Sequence, residues 1–422
     1  MMRGPLDGFR VLDLTSMISG PTATLVLADQ GAEVIKLERP DGGDHTRQVS
    51  TRRGGVSASF ANNNRNKRSV ALDLKQPEAV AAALQIARRC DVVVQNFRPG
   101  VAERIGLGEA AIRAVRPDVI YVSISGFGED GPYAQKPVYD PLIQAVSGLT
   151  TVQAGSDRAR PRLVRTIVPD KLTGHVAAQA ITAALLQRTR TGEGQHLRLS
   201  MLDAIIAFLW GSDMGGHTFV GDELAEETAQ SFIDLIYETA DGYISVAVQS
   251  DKEWHALVEA FGTVAWLEDP RFRTARDRGQ NIDARLALTQ KVLLGDTAEN
   301  WLRRLEAAGV PCAPVLTRRE MIRHPQVAAN AIVVEVEHPV AGRLRQARPA
   351  VRFSAAPWPA PTPAPGLGAD TRAVLGEAGL DGTAIEALIG SGAALAAEEP
   401  AGDTAHGAEN GEDSGADSGA AA

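Results

Sequence analysis

The stretch RVLDLTSMISGPTATLVLADQGAEVIKLERP, residues 10–40, decides the fold. It opens on a short β-rich run, RVLDLTS. SGPTATLVLADQG then reads as a helix that stops at Gly31. Ser19, Gly20 and Pro21 stand at its start, and a proline in the first helical turn forfeits no hydrogen bond. AEVIKLERP is the next strand, with Glu38 and Arg39 at its end. The same alternation continues outward. SVALDLK is a strand and is followed by a helix from Gln76 to about Arg89. DVVVQNF, a helix around 109–115, DVIYVSISG, and the strand-to-helix stretch GQHLRLSMLDAIIAFLW complete the series. Short β-branched runs separated by helices of about 10–15 residues predict a Rossmann-like α/β domain, its parallel sheet covered by helices on both faces.

The texture changes further on. YETADGYISVAVQ reads as a hairpin with Asp-Gly at its turn, and two amphipathic helices follow, DKEWHALVEAFG and NIDARLALTQKVLLG. GVPCAPVL, AIVVEVEHP and RPAVRFSA are strand-like and are expected to return to the first domain. APWPAPTPAPG is a Pro-rich extended segment, and TRAVLGEAGLDGTAIEALIGSG is a last helix pair. The division expected is a large α/β domain begun by residues 1–215, a smaller α+β domain over 216–320, a return segment completing the large domain over 321–392, and a disordered acidic tail over 393–422.

Composition bounds the function. The chain has 422 residues, 44% hydrophobic, enough for two or three folding units. The formal net charge of −9 is uneven: seven acids stand between Glu398 and Asp417, and no Lys or Arg follows Arg372. The body is therefore close to neutral, which excludes a broad nucleic-acid-binding face. Cys90 and Cys312 lie far apart with no CxxC or Cys/His cluster, so neither a disulfide framework nor a metal site is expected. The start, MMRGPLDGFRVLDLTSM, lacks the apolar core of a secretory signal. No run approaches the roughly 20 apolar residues of a membrane span. A cytoplasmic protein without a membrane partner is expected.

Three stretches carry possible chemistry. GFGEDG, 126–131, is a literal G-x-G-x-x-G after a strand, but Pro132 follows at once and PYAQKPVYDP is loop-like. A dinucleotide fingerprint needs a helix to open there, so a turn with close backbone approach is the better reading. Arg65, Lys67, Arg68 and Lys75 flank one strand, and NFRPGVAERIG adds Arg98 and Arg104. Such charges often form a solvated face. At strand ends of a parallel sheet they also suit a phosphate-bearing ligand. Asp170, in VPDKLTG, reads either as a helix N-cap or as a carboxylate nucleophile kept ionised by the helix N-terminus. Both readings use the same local geometry, and spacing does not separate them.

The ordered set GAEVIKLERPDGGD, NRNKRSVALDLK, VVVQNFRPG, GFGEDGPY, VYDPLIQAVSG, PDKLTGHVAAQAI, RTGEGQHLRLSMLDA, VPCAPV and VVEVEHP resembles the family III CoA-transferases, also called the CaiB/BaiF group. This family holds formyl-CoA transferase, carnitine CoA-transferase and α-methylacyl-CoA racemase. The resemblance spans the chain apart from the acidic tail. It implies a homodimer of interlocked rings. It implies an acyl-CoA and a carboxylic acid as substrates, coenzyme A as co-substrate, no metal, and Asp170 as the residue that takes up the acyl group as an anhydride. Arg39, Lys75, Asn96, Phe97, Arg98 and Arg104 match CoA-contacting positions, with Arg65 and Lys67 as further candidates. Tyr139 stands where the racemase branch has a histidine. A phenol of pKa near 10 is a poor α-proton base, so Tyr139 favours transfer over racemisation. Ile18 stands where formyl-CoA transferase has a glutamine, and GDELAEETAQSFIDLIYETADG lacks that enzyme's glycine-rich lid, which points to an acyl group larger than formyl or oxalyl. Arg165, in RARPRLVR, is the candidate partner for the far carboxylate of a dicarboxylic acid such as succinate. An acyl-CoA racemase or isomerase, and a CoA-binding protein without turnover, are the alternatives.

Overall fold

The computed structural model describes residues 4–49, 51–224, 235–356, 358 and 360–397. Six strands run parallel in one sheet: β1 (Arg10–Asp13), β2 (Glu33–Glu38), β3 (Lys67–Leu72), β4 (Val92–Gln95), β5 (Ile120–Ser125) and β6 (His196–Ser200). Their order is β3-β2-β1-β4-β5-β6. The chain builds outward from β1 in one direction, then restarts at β4 in the other. In an open α/β sheet that reversal leaves a crevice outside the carboxyl ends of the two central strands.

The central strands carry apolar residues on both faces because the sheet serves two cores. Val11, Val34, Val92, Val94, Ile120 and Val122 pack with α1 (Ser19–Asp29). Their alternates Leu12, Ile35, Val70, Leu72, Val93 and Tyr121 pack on the opposite face with α2 (Pro77–Ala87). Burying one such side chain contributes roughly 1.5–3 kcal/mol. Three further helices shape the carboxyl side: α3 (Asp140–Val146), α4 (Val168–Thr191) and α5 (Met201–Trp210). Helix α4 joins the core of α1 through Ala177, Ala178 and Ile181. The two helices approach closely because Gly174 has no side chain: a Cβ there would meet the Ser19 carbonyl oxygen at 2.7 Å.

The later part has its own core of Tyr237, Trp254, Phe272, Trp301 and Leu305. Strands β7 (Ile236–Glu238), β8 (Tyr243–Val246) and β9 (Cys312–Pro314) form an antiparallel sheet in the order β9-β8-β7. GVPCAPVL therefore pairs with the hairpin rather than returning to the first sheet. AIVVEVEHP does form a strand, β10 (Val333–His338), but it pairs only with β11 (Gly342–Ala347). RPAVRFSA has no strand. The chain does come back to the first domain: Gln346 Nε2 donates to the Ala61 carbonyl at 2.8 Å in the helix Ala58–Asn64, and the Gly368 N–H donates to Ser69 Oγ of β3 at 3.0 Å. Helices Thr371–Glu377 and Gly382–Gly390 bury Val374, Leu375, Ile385 and Leu388 against the core of β3 and α2.

The disorder expected from residue 393 starts too early. Ala393 and Ala394 are buried, and β12 (Ala394–Leu395) pairs antiparallel with β3 as a seventh, edge strand. Alanine carries too little apolar weight to signal a strand, yet beside Leu72 it fits a close-packed edge. The acidic residues from 398 onward lie outside the described residues. Among the described residues no helix is long and apolar enough to cross a membrane.

Candidate active site

Two adjoining cavities open where the switch point predicts them. The larger, about 450 Å³, has an apolar wall of Leu14, Leu37, Leu72, Val101 and Ile105, with Arg39, His45 and Lys75 at its polar side. The smaller, about 170 Å³, is lined by Ser19, Arg98, Lys136, Tyr139, Asp140 and Asp170 among others. Ser16 and Phe97 line both, so they form the partition. A ligand long enough to pass them reaches from the cationic rim of one cavity to the carboxylate of the other.

The carboxyl ends of β1 and β4 supply that partition. Asn96, just past β4, fastens the loop after β1: its Nδ2 donates to the Ser16 carbonyl at 2.8 Å and its Oδ1 accepts the Ser16 N–H at 3.0 Å. These two bonds fasten the loop to β4, and Asn96 itself lines the smaller cavity. Phe97 is held by its N–H donating to Gln95 Oε1 at 2.8 Å, and its ring packs on the core behind.

A buried charge network braces the same loops. Lys36 in β2 is fully buried, donates to the Thr15 carbonyl at 2.8 Å, and pairs with Asp44 at 2.9 Å. Burial opposes its charge, but Asp13 and Asp44 outweigh burial and raise its pKa. Asp44 in turn accepts the Met17 N–H at 3.3 Å, and its own N–H donates to Glu38 at 2.9 Å. Sequence reasoning missed Lys36 and Asp44. A lysine in the strand EVIKLE gives no sign of what it meets across a loop.

Asp170 lies on the first turn of α4, in the third helical position. Ile167 is the N-cap residue and makes no side-chain cap, so the capping reading of Asp170 is set aside. Its carboxylate is largely withdrawn from solvent inside the smaller cavity. Burial, then the neighbouring Asp140 carboxylate, pushes its pKa up to about 6, and Ser19 pulls back with hydrogen bonds from its hydroxyl and its backbone N–H. Desolvation is the larger effect on its pKa, and at about 6 the carboxyl is still mostly ionised at neutral pH. The Asp170 N–H donates to Asp140 Oδ2 at 3.2 Å, and Asp140 Oδ1 accepts from Gln144 Nε2 at 2.6 Å. Gln144 Oε1 accepts the Val164 N–H at 2.9 Å, tying the approach to α4 to α3. The signal for this pair was present in YDPLIQ, an acid and an amide one helical turn apart after a proline-opened start.

The remaining candidates divide. Tyr139 lines the smaller cavity and is 69% exposed. Arg98 lines it too, while Arg39 and Lys75 line the larger one. Ile18 is the N-cap residue of α1; its neighbours Met17 and Ser19 face the cavity and it does not. Arg104 and Arg165 are exposed and line neither cavity. Arg65 and Lys67 are corrected outright. Both stand at the amino end of β3, away from the crevice. Arg65 Nε pairs with Asp29 at 3.0 Å. Lys67 Nζ lies 3.1 Å from Asp13 and 2.8 Å from Thr24, fully buried. Gly126 of GFGEDG packs on Val138, where a Cβ would stand 2.3 Å from the side chain, and no helix opens there. The stretch read for a lid, 221–242, lies in part, 225–234, outside the described residues. Among the described residues no group of three His, Cys, Asp or Glu is placed to hold a metal.

Fold and site define a doubly wound α/β protein with two cavities at the switch point of its sheet and a desolvated carboxylate in one of them. The chain matches the family described as CoA-transferase family III over residues 6–371 and belongs to it. It is a CoA-transferase, an enzyme class whose co-substrates are CoA thioesters. It is 34% identical over 400 residues to succinyl-CoA:glutarate CoA-transferase of Mus musculus, covering 92% of this chain and 90% of that one. It is 35% identical to acetyl-CoA:oxalate CoA-transferase of Acetobacter aceti over 79% of this chain and 86% of that one. The crystal structure of a CaiB/BaiF family protein from Brucella suis superposes with a TM-score of 0.79 at 29% identity, covering 89% of this chain and all of that one.

Proposed function

We propose that this enzyme moves CoA from an acyl-CoA donor to a carboxylic acid, with Asp170 as the covalent carrier. An Asp170 carboxylate oxygen attacks the thioester carbonyl carbon; the C–S bond breaks and CoA thiolate leaves, giving a mixed anhydride on Asp170. The thiolate attacks the aspartyl carbonyl, which releases the donor acid and leaves an aspartyl-CoA thioester. The acceptor carboxylate attacks that carbonyl and expels the thiolate. The thiolate then attacks the acceptor carbonyl of the new anhydride, forming product acyl-CoA and restoring Asp170. A carboxylate short of water is a stronger nucleophile than one in bulk solvent, and the same exclusion protects both intermediates from hydrolysis.

The observation that carries this reading is Asp170 in a small cavity that shares Ser16 and Phe97 with a larger, cation-rimmed one. The larger cavity fits the nucleotide end of CoA: Arg39 and Lys75 for phosphates and an apolar wall beside Phe97. The pantetheine arm then runs past Phe97 toward Asp170. Among the described residues no histidine lines the smaller cavity, which favours transfer over α-proton abstraction. A relative named for succinyl-CoA and glutarate supports a dicarboxylate as donor or acceptor. Arg98 and Lys136 are the cations lining the cavity for its far carboxylate, in place of Arg165. The working form proposed is the interlocked homodimer, in the cytoplasm.

The test is chemical trapping. Incubated with acyl-CoA and quenched with hydroxylamine or borohydride, the protein gains a modification at Asp170 in the mass spectrum. Asp170→Ala binds CoA, carries no modification, and loses about 10⁴-fold or more of the transfer rate. Label on another residue, or transfer that survives the substitution, overturns the reading.

A further inference from the structure

The loop from Leu14 to Ser19 is bound at nearly every step. The Leu14 N–H donates to the Val94 carbonyl at 2.9 Å, and the Thr15 N–H and hydroxyl both donate to Asp13 Oδ1, at 2.9 and 2.5 Å. Ser16 is gripped on both sides by Asn96, and Met17 donates to Asp44. Met17 has a left-handed backbone, φ 69°. A side-chain-bearing residue there stores of order 1 kcal/mol or more, and holds the conformation only where its surroundings over-determine it. The residue that profits is Ser19, two positions on, whose hydroxyl and N–H meet the Asp170 carboxylate. The strained link therefore lies between a clamp and the donors to the nucleophile.

We propose that Asn96 is a positioning residue for Asp170: its amide pins Ser16 and keeps Met17 left-handed, and this holds Ser19 against the carboxylate. Released from the clamp, Met17 relaxes toward an ordinary φ and turns Ser19 away. The inference rests on Asp170 being the acyl carrier. It assigns Asn96, which also lines the smaller cavity, a role in holding the loop that does not depend on its touching CoA.

Two consequences separate positioning from simple support. Ser19 lowers the pKa of Asp170, so loss of its donors moves the acid limb of kcat/KM upward from about 6. The other charged or titratable groups facing Asp170 are Asp140 from α3, Arg98 from the loop after β4, and Lys136 and Tyr139 from the segment between β5 and α3; all stay in place. In addition, a glycine has no drive to leave the left-handed region, so Met17→Gly compensates for a lost clamp.

The experiment measures pH–rate profiles with acyl-CoA for the full-length wild type, Asn96→Leu and the Asn96→Leu/Met17→Gly double variant. Leucine keeps the volume and loses both hydrogen bonds. Asn96→Leu is expected to lose about 10- to 100-fold in kcat, with its acid limb shifted upward and the KM for CoA changed by less than about threefold. The double variant is expected to recover part of kcat. An unshifted acid limb with only KM altered overturns the proposal, as does a folded double variant without recovery. Where Asn96→Leu does not fold, Asn96→Ala and its double variant with Met17→Gly give the same readouts. A wild type that transfers CoA without labelling Asp170 sinks the acyl-carrier reading instead, and is told apart by the trapping assay.

Discussion

Lys67 and Lys75 bracket the same strand and do opposite work. Lys67, at the amino end of β3, is fully buried against Asp13, Thr24 and Asn64. Burial pulls its ammonium down to about 8 although Asp13 opposes the shift. Burial likewise opposes the charge on Asp13, but Lys67 and then Lys36 hold that carboxyl well below the usual range. Lys75, past the carboxyl end, is exposed at the rim of the larger cavity. The contrast extends to whole edges. Arg65 and Arg68 at the amino edge are tied to Asp29, Glu33 and Glu377. Lys75 and Arg98 at the carboxyl edge carry no ion pair among the described residues. Of these residues, the cations at the amino edge are bound up in ion pairs and the two at the carboxyl edge are not.

The sharpest way to break this contrast is to remove one lysine from each edge. Lys67→Met leaves Asp13 buried and unpaired, which costs about 3–5 kcal/mol and lowers the denaturation midpoint. Lys75→Ala leaves that midpoint within about 0.5 kcal/mol and raises the KM for CoA by about tenfold. Equal stability effects for the two variants in urea titrations would show that strand polarity does not sort these charges.

A second test asks whether the carboxyl edge is kept at a cost. The folded-state pKa of Asp170, about 6, stands above its ordinary 3.8. The native state therefore holds this proton more tightly than the unfolded chain does. The penalty for ionising it grows as pH rises from 3.8 to 6 and is complete above that. Asp170→Asn removes the penalty, so the variant is more stable than wild type by about 3 kcal/mol at pH 7 and gains little at pH 4. Denaturant midpoints at the two pH values read this directly. A gain of the same size at both would assign the effect to packing rather than charge.

The smallest effects are expected where an arginine faces neither cavity. Arg104→Ala should leave the KM for CoA within about twofold, and Arg165→Met should leave the KM for a dicarboxylate within the same margin. A tenfold rise in either would mean that the residue reaches a site from outside the cavities formed within one chain.

Much of this contrast was legible beforehand. The β-α-β reading of residues 10–40 matched β1, α1 and β2, because apolar runs broken by Gly31 leave few alternatives. Arg39, Lys75 and Arg98 line the cavities because each stands within three residues of the carboxyl end of a strand in a parallel sheet. Arg65 and Lys67 misled because nearness to a strand does not say which end is meant until its boundaries are fixed. β12 was missed because Ala-Ala-Leu beside an acidic run resembles the start of a tail.

The doubly wound sheet, the family and Asp170 as the carboxylate to watch all follow from the residue order alone. These rest on local pattern and on ordered motifs, which need no knowledge of distant contacts. Folding in three dimensions adds that Asp140 faces Asp170, that Ser19 donates to it, that Asn96 clamps Ser16, and that Lys36 and Asp44 brace the loop. Each joins residues far apart in the chain, and a carboxylate's pKa is set by burial and by neighbours in space. Spacing along a chain records neither.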